Sequence, residues 1–249
     1  MMTKRILGLS RPIGVGNAAS RSATGGRNRE RDYMEETMVL FEEIKNALTE
    51  RQKGLFTDDI PKYLRHYTKL PYLLKILKTG RLKLSDTEGF KDPKDRAWTK
   101  AYRKRVGKEL FAMCCTWETE LIHHWNTYAK GKFGCCISFD GQKLIEAADA
   151  QPNIKHGLVD YKKNIPCDDI PESVEIEKLL FTKAWAYRCE CEYRFISETE
   201  KELAFDLGCI KRITITANMD KETFAFFKES IEKQHSVSVT HSRLEKDNE

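Results

Sequence analysis

The sequence predicts an α+β fold in which helices flank a sheet, and three observations lead to this class. Short apolar segments such as 111–117 (FAMCCTW) and 135–140 (CCISFD) are typical of buried strands. Amphipathic segments that begin and end with capping residues lie between them and indicate helices. The two kinds of segment do not alternate regularly, which favours α+β over a doubly wound parallel sheet.

Composition narrows the class of protein. The chain has 249 residues, of which 40% are hydrophobic and 33% charged, with a formal net charge of +5. We find no apolar run near the ~20 residues that a transmembrane helix needs, so we expect a cytoplasmic protein without a membrane partner. The small positive excess permits an anionic partner such as a nucleotide or nucleic acid without requiring one.

The N-terminal region differs from the rest in composition. Residues 1–32 are rich in Gly, Ser, Asn and Arg and show no apolar period, which predicts a flexible basic tail. An organellar transit segment is the alternative interpretation. Residues 33–249 are predicted to form a single α+β domain, beginning with a helix over 33–52.

Residues 64–85 (LRHYTKLPYLLKILKTGRLKLS) predict a strand, a helix and a second strand. Tyr63–Tyr67 forms the first strand and carries His66, which is either a packed core residue or a ligand-binding group. Thr68 is the predicted N-cap of the helix, with Pro71 in its first turn. Gly80 is placed to end the helix in the left-handed conformation.

Two further segments have alternative interpretations. Residues 86–110 are polar and basic, which indicates either a solvated loop and helix or a lid that attracts phosphate. The next helix, at 121–129, places Trp125 and Tyr128 three residues apart, a spacing found in cores and also in stacking sites. The segment 171–187 is predicted to be mostly helical.

The segment 189–197 (CECEYRFIS) predicts a strand in which one face is charged. Alternation places Glu190, Glu192 and Arg194 in one row and the apolar side chains on the other face. Two carboxylates in one row repel each other unless water, an arginine or a ligand separates them. The alternatives are an exposed strand face with a charge pair and a row that points into a defined site.

The eight cysteines do not indicate a disulfide framework. Cys114-Cys115 and Cys135-Cys136 are adjacent pairs, so reduced thiols of a cytosolic protein are expected. A metal site using His123 and His124 is the alternative, but the paired-ligand spacing of structural zinc is missing. We therefore expect no metal.

Residues 64–93, 125–139 and 182–195 resemble, in this order, a bacterial family of unknown function. The shared pattern is HYT, a leucine-rich helix, LS…F.DP, W..YA, G.CI.F and E.EYR, and the resemblance covers about 64–244. Members of that family often lie in phage-defence or toxin-like contexts, which implies an antitoxin or defence-system partner for this chain.

The layout also resembles the ADP-ribosyltransferases, which implies a split antiparallel β core and NAD as the substrate. By motif, His66 would hold ribose hydroxyls, with Tyr67 and Thr68 beside it in the binding site. Tyr128 would be the stacking aromatic, with Tyr67 and Tyr72 as alternatives. The Ser-Thr-Ser strand of those enzymes is absent.

The same resemblance makes Glu192 the catalytic carboxylate, with Arg194 beside it. Glu190 and Glu192 together match the paired glutamates of the arginine-modifying members. The expected function is therefore an ADP-ribosyltransferase or NAD glycohydrolase that acts as a toxin or defence effector on a protein or nucleic acid. The alternatives are a non-catalytic nucleic-acid-binding module, based on Arg103–Arg105 and the basic tail, and a metal-dependent nuclease.

Overall fold

The computed structural model of the chain describes residues 55–57, 60–163 and 176–244. The predicted tail at 1–32 and the predicted helix at 33–52 lie outside the described residues. Residues 52–249 form one compact unit. Its described part mixes helices and strands around a central sheet whose strand pairs are mostly antiparallel.

The elements of the described part were numbered in chain order. The strands are β1 (Phe56–Thr57), β2 (Ile60–Pro61), β3 (Tyr63–Lys69), β4 (Arg81–Lys83), β5 (Ser85–Asp86), β6 (Phe111–Thr116), β7 (Gly134–Asp140), β8 (Ile154–Leu158), β9 (Asp160–Lys162), β10 (Thr182–Ala184), β11 (Glu192–Ser197), β12 (Glu202–Ala204), β13 (Ile210–Ile215) and β14 (Ser238–His241). The α-helices are α1 (Leu70–Thr79), α2 (Pro93–Val106), α3 (Ile122–Tyr128), α4 (Gly141–Asp149), α5 (Ile176–Leu179) and α6 (Lys221–Gln234). Short 3-10 helices cover Thr87–Gly89, Trp185–Glu190 and Leu207–Cys209.

The central sheet has the strand order β14-β13-β7-β3-β6-β11-β8, with β5 also paired to β6. Strands β3 and β7 are paired along their whole length, from Tyr63 opposite Asp140 to Lys69 opposite Gly134. In contrast, β3 and β6 are paired at one position, Arg65 opposite Thr116. The sheet therefore consists of a first half-sheet (β3, β7, β13 and β14) and a second half-sheet (β6, β8 and β11) that meet at this position.

One face of both half-sheets forms the main hydrophobic core. Alternating side chains of the strands point to it, and α1 and α4 contribute their apolar faces. Buried members from the strands are Leu64, Met113, Ile137, Phe139, Phe195, Ile213 and Val239. This arrangement confirms the predicted mixture of strands and amphipathic helices.

Helix α1 follows β3 directly and fixes its end. Leu70, Leu73 and Leu77 are buried in the core. Gly80 ends the helix with a φ of 61°, as predicted, and a Cβ there would lie 2.9 Å from the carbonyl oxygen of Phe205. The predicted N-cap is wrong: Thr68 belongs to β3, and Lys69 is the N-cap without a side-chain hydrogen bond.

The opposite face of the second half-sheet is covered by α2. Asp92 caps this helix by accepting a hydrogen bond from the backbone N–H of Lys94, and Gly107 ends it. Tyr102 of α2 packs with Ala112 of β6 and Ile196 of β11. The helix therefore encloses the side chains that β11 points away from the main core.

The segment 171–187, predicted to be mostly helical, is helical only in part over its described residues, 176–187. Helix α5 has only four residues, and β10 and a 3-10 helix follow it. Strand β10 pairs in parallel with β9, so Thr182 lies opposite Asp160. The apolar spacing of this segment resembles that of a helix, but backbone pairing with β9 decides its conformation.

Candidate active site

A cavity of about 380 Å³ lies where the two half-sheets meet. Residues Arg65–Tyr67 of β3 and Ala112–Thr116 of β6 line it from the two sides of the junction. The loop before α2, helix α3 and the 3-10 helix at Trp185–Glu190 complete its walls. We call this cavity the cleft.

His66 is partly buried and bridges the junction. Its Nδ1 lies 3.0 Å from the carbonyl oxygen of Cys114 on β6, so Nδ1 carries the proton and donates it. Burial lowers the pKa of His66. The ring is therefore neutral near pH 7, and its Nε2 is an unprotonated acceptor in the wall of the cleft.

Glu192, the first residue of β11, is buried in the wall of the cleft. Its Oε1 accepts from Nε of Arg194 at 2.6 Å, and its Oε2 accepts from Nζ of Lys183 at 3.1 Å. Burial alone would raise the pKa of Glu192, but Arg194 and Lys183 outweigh it and lower the pKa to about 2. This carboxylate is therefore ionised at neutral pH.

Lys183 of β10 joins the two glutamates. Its Nζ lies 2.5 Å from Oε2 of Glu190, in addition to its bond with Glu192. Burial acts to lower the pKa of Lys183, but Glu192 and Glu190 raise it above its usual range. The sequence pattern implied that the two carboxylates repel each other, and the cation between them removes this repulsion.

The predicted row of three charges is wrong at Glu190. This residue ends the 3-10 helix at Trp185–Glu190, and Cys191 then adopts a φ of 46° before β11 begins. The turn at Cys191 replaces the strand backbone that alternation had predicted. Glu190 still reaches the cleft, because the turn brings its carboxylate to the side chain of Lys183.

Helix α3 brings three aromatic or imidazole groups to Glu190. The hydroxyl of Tyr128 donates to Oε1 of Glu190 at 2.8 Å, and Nε2 of His123 lies 3.4 Å from the same atom. His124 donates from Nε2 to the backbone oxygen of Glu190 at 3.2 Å. Tyr128 and His123 are exposed, so Glu190 is coupled to the open part of the cleft.

His124 is stacked between Tyr67 and Tyr128, two of the three tyrosines predicted as candidates for the stacking aromatic. Its ring lies 5.1 Å from that of Tyr67 and 6.3 Å from that of Tyr128. Burial lowers the pKa of His124, so its Nδ1 is an acceptor, and this buried atom has no hydrogen-bond partner among the described residues. Tyr67 and Tyr128 line the cleft, whereas Tyr72 is exposed on α1 and does not.

Two predicted site residues do not line the cleft. Arg194 is fully buried behind Glu192, where both terminal nitrogens of its guanidinium donate to Asp95, at 2.9 and 2.7 Å. It acts on the cleft through Glu192. Thr68 is buried in β3 and is not among the residues that line the cleft.

Lys183 and Asp95 line the cleft, and the sequence did not reveal them as members of the site. Lys183 lay in the predicted helix at 171–187, and Asp95 lay in the segment interpreted as a solvated helix or a lid. Together with Glu190, Glu192 and Arg194 they form what we call the charged cluster. It holds three carboxylates against two cations, so one negative charge is in excess beside the cleft.

Cysteine nucleophiles are disfavoured in this site. Free thiols occur at Cys114, Cys115, Cys135, Cys136, Cys189 and Cys209. Burial and the nearby Glu192 raise the pKa of the Cys114 thiol well above its usual value. A neutral thiol is a poor nucleophile, and that of Cys114 donates a hydrogen bond to Glu192 instead.

In the basic segment 86–110, some cationic side chains are paired within the protein and others are exposed to solvent. Arg103 pairs with Asp86 at 2.8 Å and with Glu88 at 3.2 Å, so part of the predicted cationic patch is neutralised. Lys91 is exposed in the wall of the cleft and donates to the backbone oxygen of Thr127 at 3.1 Å. It joins the loop before α2 to α3 across the cleft.

The described residues contain neither a metal-binding cluster nor a membrane-spanning helix, and known proteins do not identify the chain. Within 55–57, 60–163 and 176–244, no group of three or more His, Cys, Asp or Glu side chains is placed to hold a metal ion. In the same ranges, every helix is too short or too polar to cross a bilayer. Comparisons with protein-family models, curated proteins and solved structures found no significant match for this chain.

Proposed function

We propose that this chain is an ADP-ribosyltransferase-like enzyme, or an NAD glycohydrolase, that breaks the bond between nicotinamide and ribose in NAD. The observation that supports it most is that His66, Tyr128 and the pair Glu190 and Glu192, which come from three distant parts of the sequence, line one cavity. The single pairing between β3 and β6 supports a split antiparallel β core for the same superfamily.

The charged cluster suits the chemistry of this bond. When the nicotinamide–ribose bond breaks, its electron pair stays on the nicotinamide nitrogen, which becomes neutral. Positive charge then develops on the ribose as an oxocarbenium ion. An ionised Glu192 in a cluster with one excess negative charge stabilises that ion in a site of low dielectric.

His66 suits recognition of the ribose. Its bond to Cys114 fixes the tautomer, so Nε2 accepts a hydrogen bond from a ribose hydroxyl and does not compete as a donor. Tyr67 and Tyr128 line the cleft, and exposed Tyr128 offers its ring to a base or nicotinamide. Exposed Lys91 attracts the pyrophosphate through its charge.

Glu190 suits the second half of the reaction. Water or an acceptor group adds to the ribose carbon and must lose a proton as the new bond forms. Glu190 accepts that proton and passes it to solvent, since its partners Tyr128 and His123 are exposed. Whether the acceptor is a protein, a nucleic acid or water, the same carboxylate takes the proton.

The biological setting follows from the family resemblance alone. A cytoplasmic toxin or phage-defence effector that consumes NAD or modifies a macromolecule fits this chemistry. An antitoxin or defence-system protein would then restrain it until it is needed.

The test is release of nicotinamide from NAD by the purified protein, compared with Glu192→Gln. This substitution keeps the shape of the side chain and removes its charge, so we expect a loss of at least ~100-fold in turnover. Chromatography of the reaction mixture measures nicotinamide directly.

Glu198→Gln is the matched control. Glu198 is also a carboxylate bound by a tyrosine and a lysine, Tyr102 and Lys108, but it lies outside the cleft. Its variant should keep wild-type turnover. Unfolding curves of both variants show whether either has lost its fold, and His66→Ala provides a second disabling change. Absence of nicotinamide release by the wild type, or equal turnover in folded Glu192→Gln, would contradict the proposal.

A further inference from the structure

The first half-sheet carries a second polar surface on the face opposite the main core. Arg65 of β3, Ser138 of β7 and Arg212 of β13 lie side by side in one cross-strand row. In the adjacent row, Cys136 and Thr214 lie side by side. Since neighbouring strands are ~4.8 Å apart, the backbones of the two arginines are about 10 Å apart.

A second cavity of about 300 Å³ lies over these rows. Three arginines line it, namely Arg65, Arg212 and Arg243, and four serine or threonine side chains line it as well. These are Thr119, Ser138, Thr214 and Thr240. We call this cavity the arginine pocket.

The three arginine charges of the arginine pocket are compensated only in part, because the described residues place a single carboxylate in the pocket. Glu120 is the carboxylate among the lining residues, and its Oε1 accepts from Nε1 of Trp125 at 2.8 Å and from the hydroxyl of Ser242. Among the described residues, neither Arg212 nor Arg243 has a carboxylate within ion-pair distance. Cations that share one sheet face repel each other, so an anion between them would stabilise the arrangement.

Arg65 is the fixed member of the three. It is buried, and its NH1 donates to the backbone oxygens of Glu118 at 2.7 Å and Trp117 at 3.3 Å. These bonds hold the guanidinium in place over β3. Arg212 and Arg243 are exposed and can turn toward a bound anion.

We infer that the arginine pocket is a binding site for the phosphate of a phosphate monoester of nucleotide size. Guanidinium groups bind phosphate oxygens in pairs, and the hydroxyls of Ser138, Thr214 and Thr240 donate to the remaining oxygens. The pocket volume leaves room for more than the phosphate itself. The inference goes beyond the proposed reaction and stands whether or not the cleft acts on NAD.

The experiment is isothermal titration of the full chain at low salt with three probes: inorganic pyrophosphate, AMP and adenosine. Pyrophosphate and AMP should bind and adenosine should not, since the phosphate carries recognition. Arg212→Met and Arg243→Met should each weaken binding about 10-fold or more, the usual effect of losing a hydrogen bond to a charged group. Both residues line the arginine pocket and not the cleft.

Two variants serve as controls for charge. Lys211→Met removes the same charge from the neighbouring position, where Lys211 pairs with Asp140 at 3.1 Å and does not line the pocket. Lys91→Met tests whether the probe binds in the cleft instead. Binding that is undetectable, equal for AMP and adenosine, equally weakened by Lys211→Met, or weakened by Lys91→Met but not by Arg212→Met would overturn the inference.

Discussion

Both half-sheets carry charged side chains on the face opposite the main core, but they differ in whether these side chains are buried. On the second half-sheet, Glu192 and Arg194 point away from the main core and are covered by α2 and β10, which supply Asp95 and Lys183. On the first half-sheet, Arg212 points to the corresponding face and is exposed there.

Burial explains the difference. An uncompensated charge in a low-dielectric site costs several kcal/mol, and each member of the charged cluster has an opposite charge in contact with it. An exposed guanidinium stays hydrated and needs no ionic partner in the protein. The exposed cations of the first half-sheet are therefore available to bind a ligand. Covered charges therefore stabilise the fold only as a complete set, whereas open charges are free for binding.

Among the tests of this contrast, Arg194→Met has the largest expected effect. This change leaves Asp95 and Glu192 buried without their main cation, and we expect the free energy of unfolding to fall by ~3–5 kcal/mol. Urea unfolding measures it. Arg81→Met removes an exposed arginine that pairs with Glu202 at 3.6 Å, and its loss should be below ~1 kcal/mol. Equal losses in the two variants would show that burial does not set the cost.

The next test uses pH. The pKa of Glu192 falls from 4.5 to about 2 on folding, so its contribution to stability is present above pH 4.5 and is lost as the pH falls toward 2. The shift corresponds to a loss of about 3 kcal/mol. Asp95 acts in the opposite direction, because burial raises its pKa and the folded protein binds its proton more readily.

The measurement is the free energy of unfolding between pH 5 and pH 2 for the wild type and for Glu192→Gln. The difference between the two curves reports Glu192 together with its effect on Asp95, whose pKa Glu192 also raises. It should shrink steadily as the pH falls through this window. A difference that does not change with pH would mean that the pKa of Glu192 is the same in the folded and unfolded protein, and a difference that grows as the pH falls would mean that folding raises it.

The sequence predicted the parts of the site that depend on local pattern. The apolar segment 63–67 predicted a strand that carries His66, and the alternation of 189–197 predicted that Glu192 and Arg194 share one face. Gly80 was predicted as a helix end because a left-handed residue is needed there. Each of these depends on neighbours within a few positions in the chain.

The sequence did not predict the parts that depend on distant contacts. Asp95 meets Arg194 across 99 positions of the chain, and nothing in its own segment indicates a buried carboxylate. Lys183 was assigned to a helix because its strand is defined by pairing with β9. Glu190 was assigned to a strand because the turn at Cys191 is held by the surrounding structure, and its sequence carries no glycine.

The smallest effect is expected for a substitution on the exposed face of the first half-sheet. Arg212→Met removes an exposed guanidinium that has no carboxylate partner among the described residues, so the free energy of unfolding should change by less than ~0.5 kcal/mol. At low salt the change should become slightly stabilising, because Arg65 in the same cross-strand row loses a repelling neighbour. Urea unfolding at low and high salt measures both. A loss of several kcal/mol would show that Arg212 compensates a buried charge, and the contrast between the two half-sheets would then fail.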